Sequence, residues 1–170
     1  MNDVFFECTY TDSMELLRES YGKVQFKNKV DLGYCLLFFA VCVCVLAIWQ
    51  NQRQWHLLAL ALLGTGVYCV LLPVVVAHRI MDSIKRANHG DVPSARIVLT
   101  DKITHYYKLD TCVILYADLR FVYFLKNCVV FSSGDAYVTF DRNGFTKGTP
   151  EELENFLRVR CPHVKIISKH

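Results

Sequence analysis

Eight cysteines, six histidines and sixteen acidic residues supply the atoms from which a metal site, a nucleophile–base set or a disulfide framework could be built. Their spacing decides among these. No C-x-x-C pair and no Cys/His cluster at zinc-ligand spacing occurs, so no metal and no cofactor is expected. A nucleophile–base set can be composed from Cys112 or Cys128, with His105 as base and Asp118 as the acid that orients it. Nothing in the spacing ties these members together. Both cysteines lie in apolar, strand-like runs, where a thiol is expected to be an inert core group. The expectation is therefore a protein without catalytic residues. Gly64-Thr65-Gly66 resembles a fragment of a phosphate loop, but no lysine follows and its surroundings are uniformly apolar. It reads instead as a close-packing notch facing Ala40, Cys44 and Ala47.

The same apolar surroundings account for half of the thiols. Cys35, Cys42, Cys44 and Cys69 fall in two runs, residues 32–49 and 55–77, where cysteine behaves as a small hydrophobe. The runs contain no Asp, Glu, Lys or Arg, and at about 1.5 Å per residue each is long enough to cross a hydrocarbon core of about 30 Å. Pro73 cannot donate to the carbonyl of Cys69, which predicts a kink in the second helix. Residues 50–54 leave room only for a tight turn, so the two helices must be antiparallel neighbours. Trp49 and Trp55 flank that turn and mark one membrane interface. The turn carries only Arg53, whereas Arg18, Lys23, Lys27 and Lys29 precede the first run and Arg79, Lys85 and Arg86 follow the second. The positive-inside rule then puts both termini in the cytoplasm of a two-pass protein of the cell membrane. In that compartment Cys8, Cys112, Cys128 and Cys161 stay reduced. A cleaved signal peptide is excluded, because the first run begins far from Met1 and Ala47-Ile48-Trp49 is no cleavage site.

These runs divide the chain. Residues 1–31 form a cytoplasmic N-terminal segment, with a strand at 4–9 and a helix at 12–21. That helix is capped by Thr11 or Asp12 and carries Met14, Leu17 and Tyr21 at helical spacing. Residues 32–77 are the helical hairpin. Residues 78–91 are a helical stalk and linker, broken by Gly90-Asp91-Val92-Pro93. Residues 92–170 are a cytoplasmic α+β domain. Its short β-rich runs at 95–100, 103–107, 111–116, 119–125, 128–132 and 136–141 predict an antiparallel meander. Lys126-Asn127 and Ser133-Gly134 are gaps short enough for tight hairpins. Thr149-Pro150-Glu151-Glu152 predicts a capping box opening an amphipathic helix, with Leu153, Phe156 and Leu157 buried against the sheet.

Thr11-Asp12-Ser13, the two-span hairpin, Tyr116-Ala117-Asp118-Leu119-Arg120-Phe121-Val122-Tyr123, Phe145 and the helix at 151–157 together resemble the YcxB-like membrane proteins of bacteria. The resemblance covers nearly the whole chain. It implies a pleckstrin-homology-like C-terminal domain, a curved antiparallel sheet closed by one helix, and no established activity. The chain departs from the family at 139–145, where members carry an apolar-Pro-Lys turn. A pleckstrin-homology-like sheet has seven strands against the six counted here, so the strand at 4–9 is expected to join it.

The function expected is that of a membrane-tethered binding or regulatory module whose cytoplasmic domain recognises a protein or a lipid headgroup. Arg79, Lys85 and Arg86 are the candidate lipid contacts. The alternatives are an oligomeric transporter or channel subunit, lined by Tyr34, Thr65 or Tyr68, and a membrane-associated enzyme with a cysteine nucleophile. The net charge of +3 is small and spread out, so no nucleic-acid partner is expected; self-association through the hairpin is left open.

Overall fold

The computed structural model describes residues 4–50, 53–108, 110–134 and 136–168, with side chains described outside 47–56. The residues between the two long helices and the side chains of Ala47, Trp49 and Trp55 therefore lie outside the described part. The chain forms two compact units. One is continuous, Tyr21–Arg79; the other is assembled from two stretches, Met1–Ser20 and Ile80–His170.

The continuous unit is helical. After a π-helical turn at Tyr21–Gln25, helix α2 runs Lys27–Gln50, and α3 runs Arg53–Ala87, beyond the unit's end. At about 1.5 Å per residue they are roughly 36 and 52 Å long. Both are apolar enough to cross a membrane. Their outer surfaces expose large hydrophobic side chains, Phe38 (68%), Leu57 (69%) and Leu60 (67%) among them. Their closest backbone approach falls at two glycines. A methyl group at Gly33 would sit 3.0 Å from the Gly66 carbonyl oxygen and 2.9 Å from Cys69 Cβ, so the backbones meet where neither helix has a side chain. Ala40 and Ala59, seven residues from these glycines on their helices, are also buried. The expected packing notch is thus half right. Gly66 makes the close approach, but to Gly33 and Leu37, while Gly64 faces open space. Consecutive glycine positions two apart lie about 200° apart around a helix, so only one can face the partner. Helix α3 runs through Pro73, which is buried and lies near Gly22.

In the other unit, strand β1 (Phe6–Thr11) pairs along its whole length with β2 (Ser94–Leu99), from Phe6 opposite Leu99 to Thr11 opposite Ser94. The N-terminal strand therefore joins the domain, as expected, and the hairpin is inserted between two adjacent strands. β3 (Ile103–Tyr107), β4 (Asp110–Ile114) and β8 (Phe145–Lys147) complete an antiparallel sheet in the order β4-β3-β2-β1-β8. A second sheet has the order β7-β6-β5-β9, from β5 (Phe121–Phe124), β6 (Cys128–Ser133), β7 (Ala136–Asp141) and β9 (Lys165–Ser168), with β9 parallel to β5. The side chains between the sheets are close to fully buried, with Phe124, Phe131, Phe140, Ile97 and Leu99 the bulk of the core. Both β5–β6 and β6–β7 are the tight hairpins expected, and Gly134 supplies the positive φ (60°) that the second needs.

One meander has become two sheets, and the cause lies at Tyr116 and Leu119. Both are buried. A strand would send residues three apart to opposite faces, so the chain instead turns through a 3-10 segment at Tyr116–Asp118. The Tyr116 hydroxyl donates to the Thr100 carbonyl at 3.0 Å and holds that corner.

Helix α1 (Met14–Ser20) starts two residues later than expected. Its cap is Ser13, whose hydroxyl accepts from Leu16 N at 3.2 Å; neither Thr11 nor Asp12 does this. The buried residues are Leu16, Leu17 and Ser20, a register one step away from the expected Met14, Leu17 and Tyr21. The Glu19 carboxylate accepts from the backbone N–H groups of Lys126 and Asn127 (3.2 and 2.9 Å), tying α1 to the β5–β6 turn. Helix α4 (Pro150–Arg160) has the full capping box: Thr149 Oγ accepts from Glu152 N, and Glu152 Oε2 accepts from Thr149 N. It buries Leu153 and Leu157 and sets Phe156 against Phe5, Phe6 and Tyr116. Arg160 lies over the rings of Phe5, Tyr116 and Phe156.

Candidate functional site

The nucleophile–base set is not assembled. Cys128 is fully buried in β6. Cys112 is exposed on β4, which corrects the expectation of a core thiol: β4 is the outer strand of its sheet and its first four residues are all exposed. It stands directly opposite His105 in register. His105, however, is engaged elsewhere. The Tyr10 hydroxyl gives its one proton to the Thr139 carbonyl (2.7 Å), so at its 2.9 Å contact with His105 Nε2 it accepts. The imidazole therefore carries a proton on Nε2 and ties β3 to β1, with Tyr10 carrying the link on to β7. Burial lowers its pKa, which favours the neutral form. Asp118 lies in the 3-10 turn between β4 and β5 and has no part in this arrangement.

Around Tyr10 the structure builds an internal polar cluster. Ser20 and Thr139 share a hydrogen bond at 2.8 Å, and the Tyr107 hydroxyl is buried without a partner among the described residues. Burial raises the pKa of Tyr10, Tyr107 and Asp12, with the Asp12 charge adding to the rise at both tyrosines. Cys8 donates to the Asp141 carbonyl, and burial pushes its thiol up to about 12. Such a thiol is not ionised near neutral pH, so the cluster joins strands and supplies no nucleophile.

The candidate lipid contacts Arg79, Lys85 and Arg86 are all exposed on α3, and so is Asp82 four residues before Arg86. That carboxylate lies on the Arg86 side of the helix and reduces the local positive charge. Of the proposed pore-lining residues, Tyr34, Thr65 and Tyr68 are exposed on the outside of their helices, and the Thr65 hydroxyl is satisfied by the Ala61 carbonyl at 2.9 Å.

A concave site appears where no residue type announced one. A cavity of about 670 Å³ opens at the end of the second sheet, lined by Asp118, Arg120, Phe121, Ser133, Gly134 and His163. Three separate segments contribute: the turn that enters β5, the β6–β7 hairpin, and the loop after α4. Arg120 is fixed at both backbone groups, its N–H donating to the Ser132 carbonyl and its carbonyl accepting from Lys165 N. The His163 Nε2–H donates to the Tyr116 carbonyl at 3.2 Å, which leaves Nδ1 as an acceptor. In the sequence Asp118 is a candidate acid, Arg120 belongs to the family-like stretch and Ser133 is a turn residue, while nothing marks His163. Among the described residues no cluster of three or more metal-ligating side chains occurs.

Two long apolar helices and a two-sheet α+β unit with a C-terminal helix thus describe the molecule. No family model, no curated protein and no solved structure matches the chain.

Proposed function

We propose that this chain is a membrane-anchored binding or regulatory module. Its helices α2 and α3 cross the bilayer as an antiparallel hairpin, and recognition falls to the two-sheet unit. The observation that carries this reading is the insertion of the hairpin between β1 and β2, two strands paired residue by residue. A chain that leaves one domain and re-enters it must return to the side it left. Two spans do so, whereas one does not. The exposed Phe38, Leu57 and Leu60 support burial in lipid, since soluble surfaces seldom carry so much contiguous apolar area. The basic flanks, from Arg18 to Lys29 and from Arg79 to Arg86, support a cytoplasmic position for that side.

The β1–β4 and β5–β7 groups followed by α4 support a pleckstrin-homology-like domain carrying two additional strands, β8 and β9. Kinship with the YcxB-like membrane proteins follows the same reasoning. Recognition without catalysis suits a site whose reactive groups are either buried or unassembled.

The test is membrane extraction together with cysteine labelling in cells. Alkaline carbonate should leave the chain in the membrane. In a background without native cysteines, an impermeant maleimide added from outside should label Gln52→Cys but neither Ser83→Cys nor Ser168→Cys. Release by carbonate, or labelling of Ser83→Cys from outside, would overturn the proposal.

A further inference from the structure

The cavity at the end of the second sheet brings opposite charges to one wall without pairing them. Asp118 and Arg120 are two residues apart, both line the cavity and both are exposed, yet neither forms an ion pair with the other or with any described residue. Ion pairs such as Arg96–Glu7 and Arg142–Glu151 lie elsewhere in the domain. The remaining polar groups are free in the same sense. Ser133 has no side-chain partner among the described residues, and His163 keeps Nδ1 as an unused acceptor. The ring of Phe121, about a third exposed, completes the lining.

These groups sort by chemistry into two halves. A guanidinium and a hydroxyl suit an anion such as a phosphate or carboxylate, with Arg able to donate two parallel hydrogen bonds. A carboxylate, an imidazole acceptor and an aromatic face suit an ammonium group. A simple anion would meet Asp118 and a simple cation would meet Arg120, so either alone is opposed by one wall residue. A molecule carrying both charges satisfies both. We infer that this cavity binds a compact zwitterion, its anionic group on Arg120 and Ser133 and its ammonium on Asp118, His163 and Phe121. At about 670 Å³ the space exceeds a headgroup-sized zwitterion and leaves room for whatever that group is attached to. An aminophosphate of this kind could be a lipid headgroup or a free metabolite. The inference deepens the binding-module reading and rests on that part of it alone. The anchoring of the hairpin is tested separately, and a soluble probe reads the cavity whether or not the helices span.

The experiment is calorimetric titration of the full chain in detergent with phosphoethanolamine, alongside inorganic phosphate and ethanolamine as the two half-ligands. Phosphoethanolamine should bind at least about tenfold more tightly than either half, because both charges are then met at once. Asp118→Asn should remove that advantage while leaving phosphate binding in place, and Arg120→Gln should abolish both. Equal binding of phosphate and phosphoethanolamine by the unaltered chain would overturn the inference with no variant needed, as would the absence of binding or its indifference to both substitutions. Repeating the titration in nanodiscs identifies the source. Phosphatidylethanolamine discs that weaken the soluble probe about tenfold relative to phosphatidylglycerol discs mark a lipid headgroup; equal affinity in both marks a free zwitterion. Either result supports the zwitterion site.

Discussion

Replacing Phe6 with Ala tests whether a strand that precedes the hairpin is structurally part of the domain that follows it. Phe6 is 7% exposed, packs edge-on against Phe156 with ring centroids 5.4 Å apart, and lies against Gly148. Truncating a buried Phe costs roughly 3–5 kcal/mol, through lost transfer energy and the cavity left behind. That is a large share of the 5–15 kcal/mol expected of a small domain. Phe5, beside it, is 37% exposed, so Phe5→Ala should cost about 1 kcal/mol. Gly148 sharpens the test. Its φ is +78°, and a methyl group there would meet the Phe6 ring at 2.4 Å. Gly148→Ala therefore carries both the backbone penalty of about 1 kcal/mol and a steric clash. In the Phe6→Ala background the clash has no partner and only the backbone penalty remains. The two substitutions should combine to less than the sum of their separate costs by 1 kcal/mol or more, roughly. Urea unfolding of the full chain in detergent, followed by protease resistance of the two-sheet unit, measures all four species. A Phe6→Ala cost below about 1 kcal/mol, or strict additivity with Gly148→Ala, would refute the packing of β1 into this domain.

Four further predictions come from other parts of the molecule. Asp12 has a raised pKa from burial, so its ionisation opposes folding: stability falls as pH rises from the unfolded value through the folded one. Asp12→Asn should therefore stabilise the domain at neutral pH, with the gain vanishing below about pH 4, measured as the difference in unfolding midpoint. His105 runs the other way. Its pKa is lowered, so acidification through about 6.5 should destabilise the protein, and His105→Gln should flatten that dependence relative to wild type. In the hairpin, Gly33→Ala and Gly66→Ala should lower thermal stability in detergent by about 1–3 kcal/mol, since each methyl meets atoms at 2.9–3.0 Å. Gly64→Ala meets open space and should be neutral or mildly stabilising; equal losses at Gly64 and Gly66 would contradict the contact. Among the cysteines outside the two apolar helices, maleimide should react quickly with Cys112 alone in the native state, leaving Cys8, Cys128 and Cys161 protected until denaturant is added.

Local chemistry was legible in the sequence where one element determined its own ends. The capping box at Thr149, the two tight hairpins and the helical break at Gly90 depend on residues within a few positions, and the structure has each of them. Features set by distant partners were not. Strand β8 is three residues long and exists because β1 offers it an edge. Strand β9, Lys165–Ser168, does carry a β-branched pair, Ile166-Ile167, that could have signalled it. The exposure of Cys112 depends on β4 being outermost, a property of sheet order that a run of apolar residues does not encode. The cavity is the extreme case: its polar groups come from three segments, so no spacing along the chain connects Asp118, Ser133 and His163.

The insertion of the hairpin also bears on how the domain can form. β1 and β2 are separated by about eighty residues, and closing a flexible loop of that length costs more than closing a short one, by about 0.6 kcal/mol for each doubling. The stretch between them is not a flexible loop. The Gly33–Gly66 contact folds α2 back along α3, and near the far end of that pair Gly22 approaches Pro73, whose Cβ lies 3.7 Å from where a Gly22 methyl would be. Once the helices have paired, the loop left to close runs from Thr11 to Gly22 and from Pro73 to Ser94, about thirty residues in place of about eighty. Helix pairing therefore comes before strand pairing energetically. A substitution that separates the helices, such as Gly66→Leu, should slow the acquisition of protease resistance by the two-sheet unit even though it touches none of its residues. If resistance developed at the wild-type rate with the helix pair disrupted, the two units would fold independently and this order would be wrong.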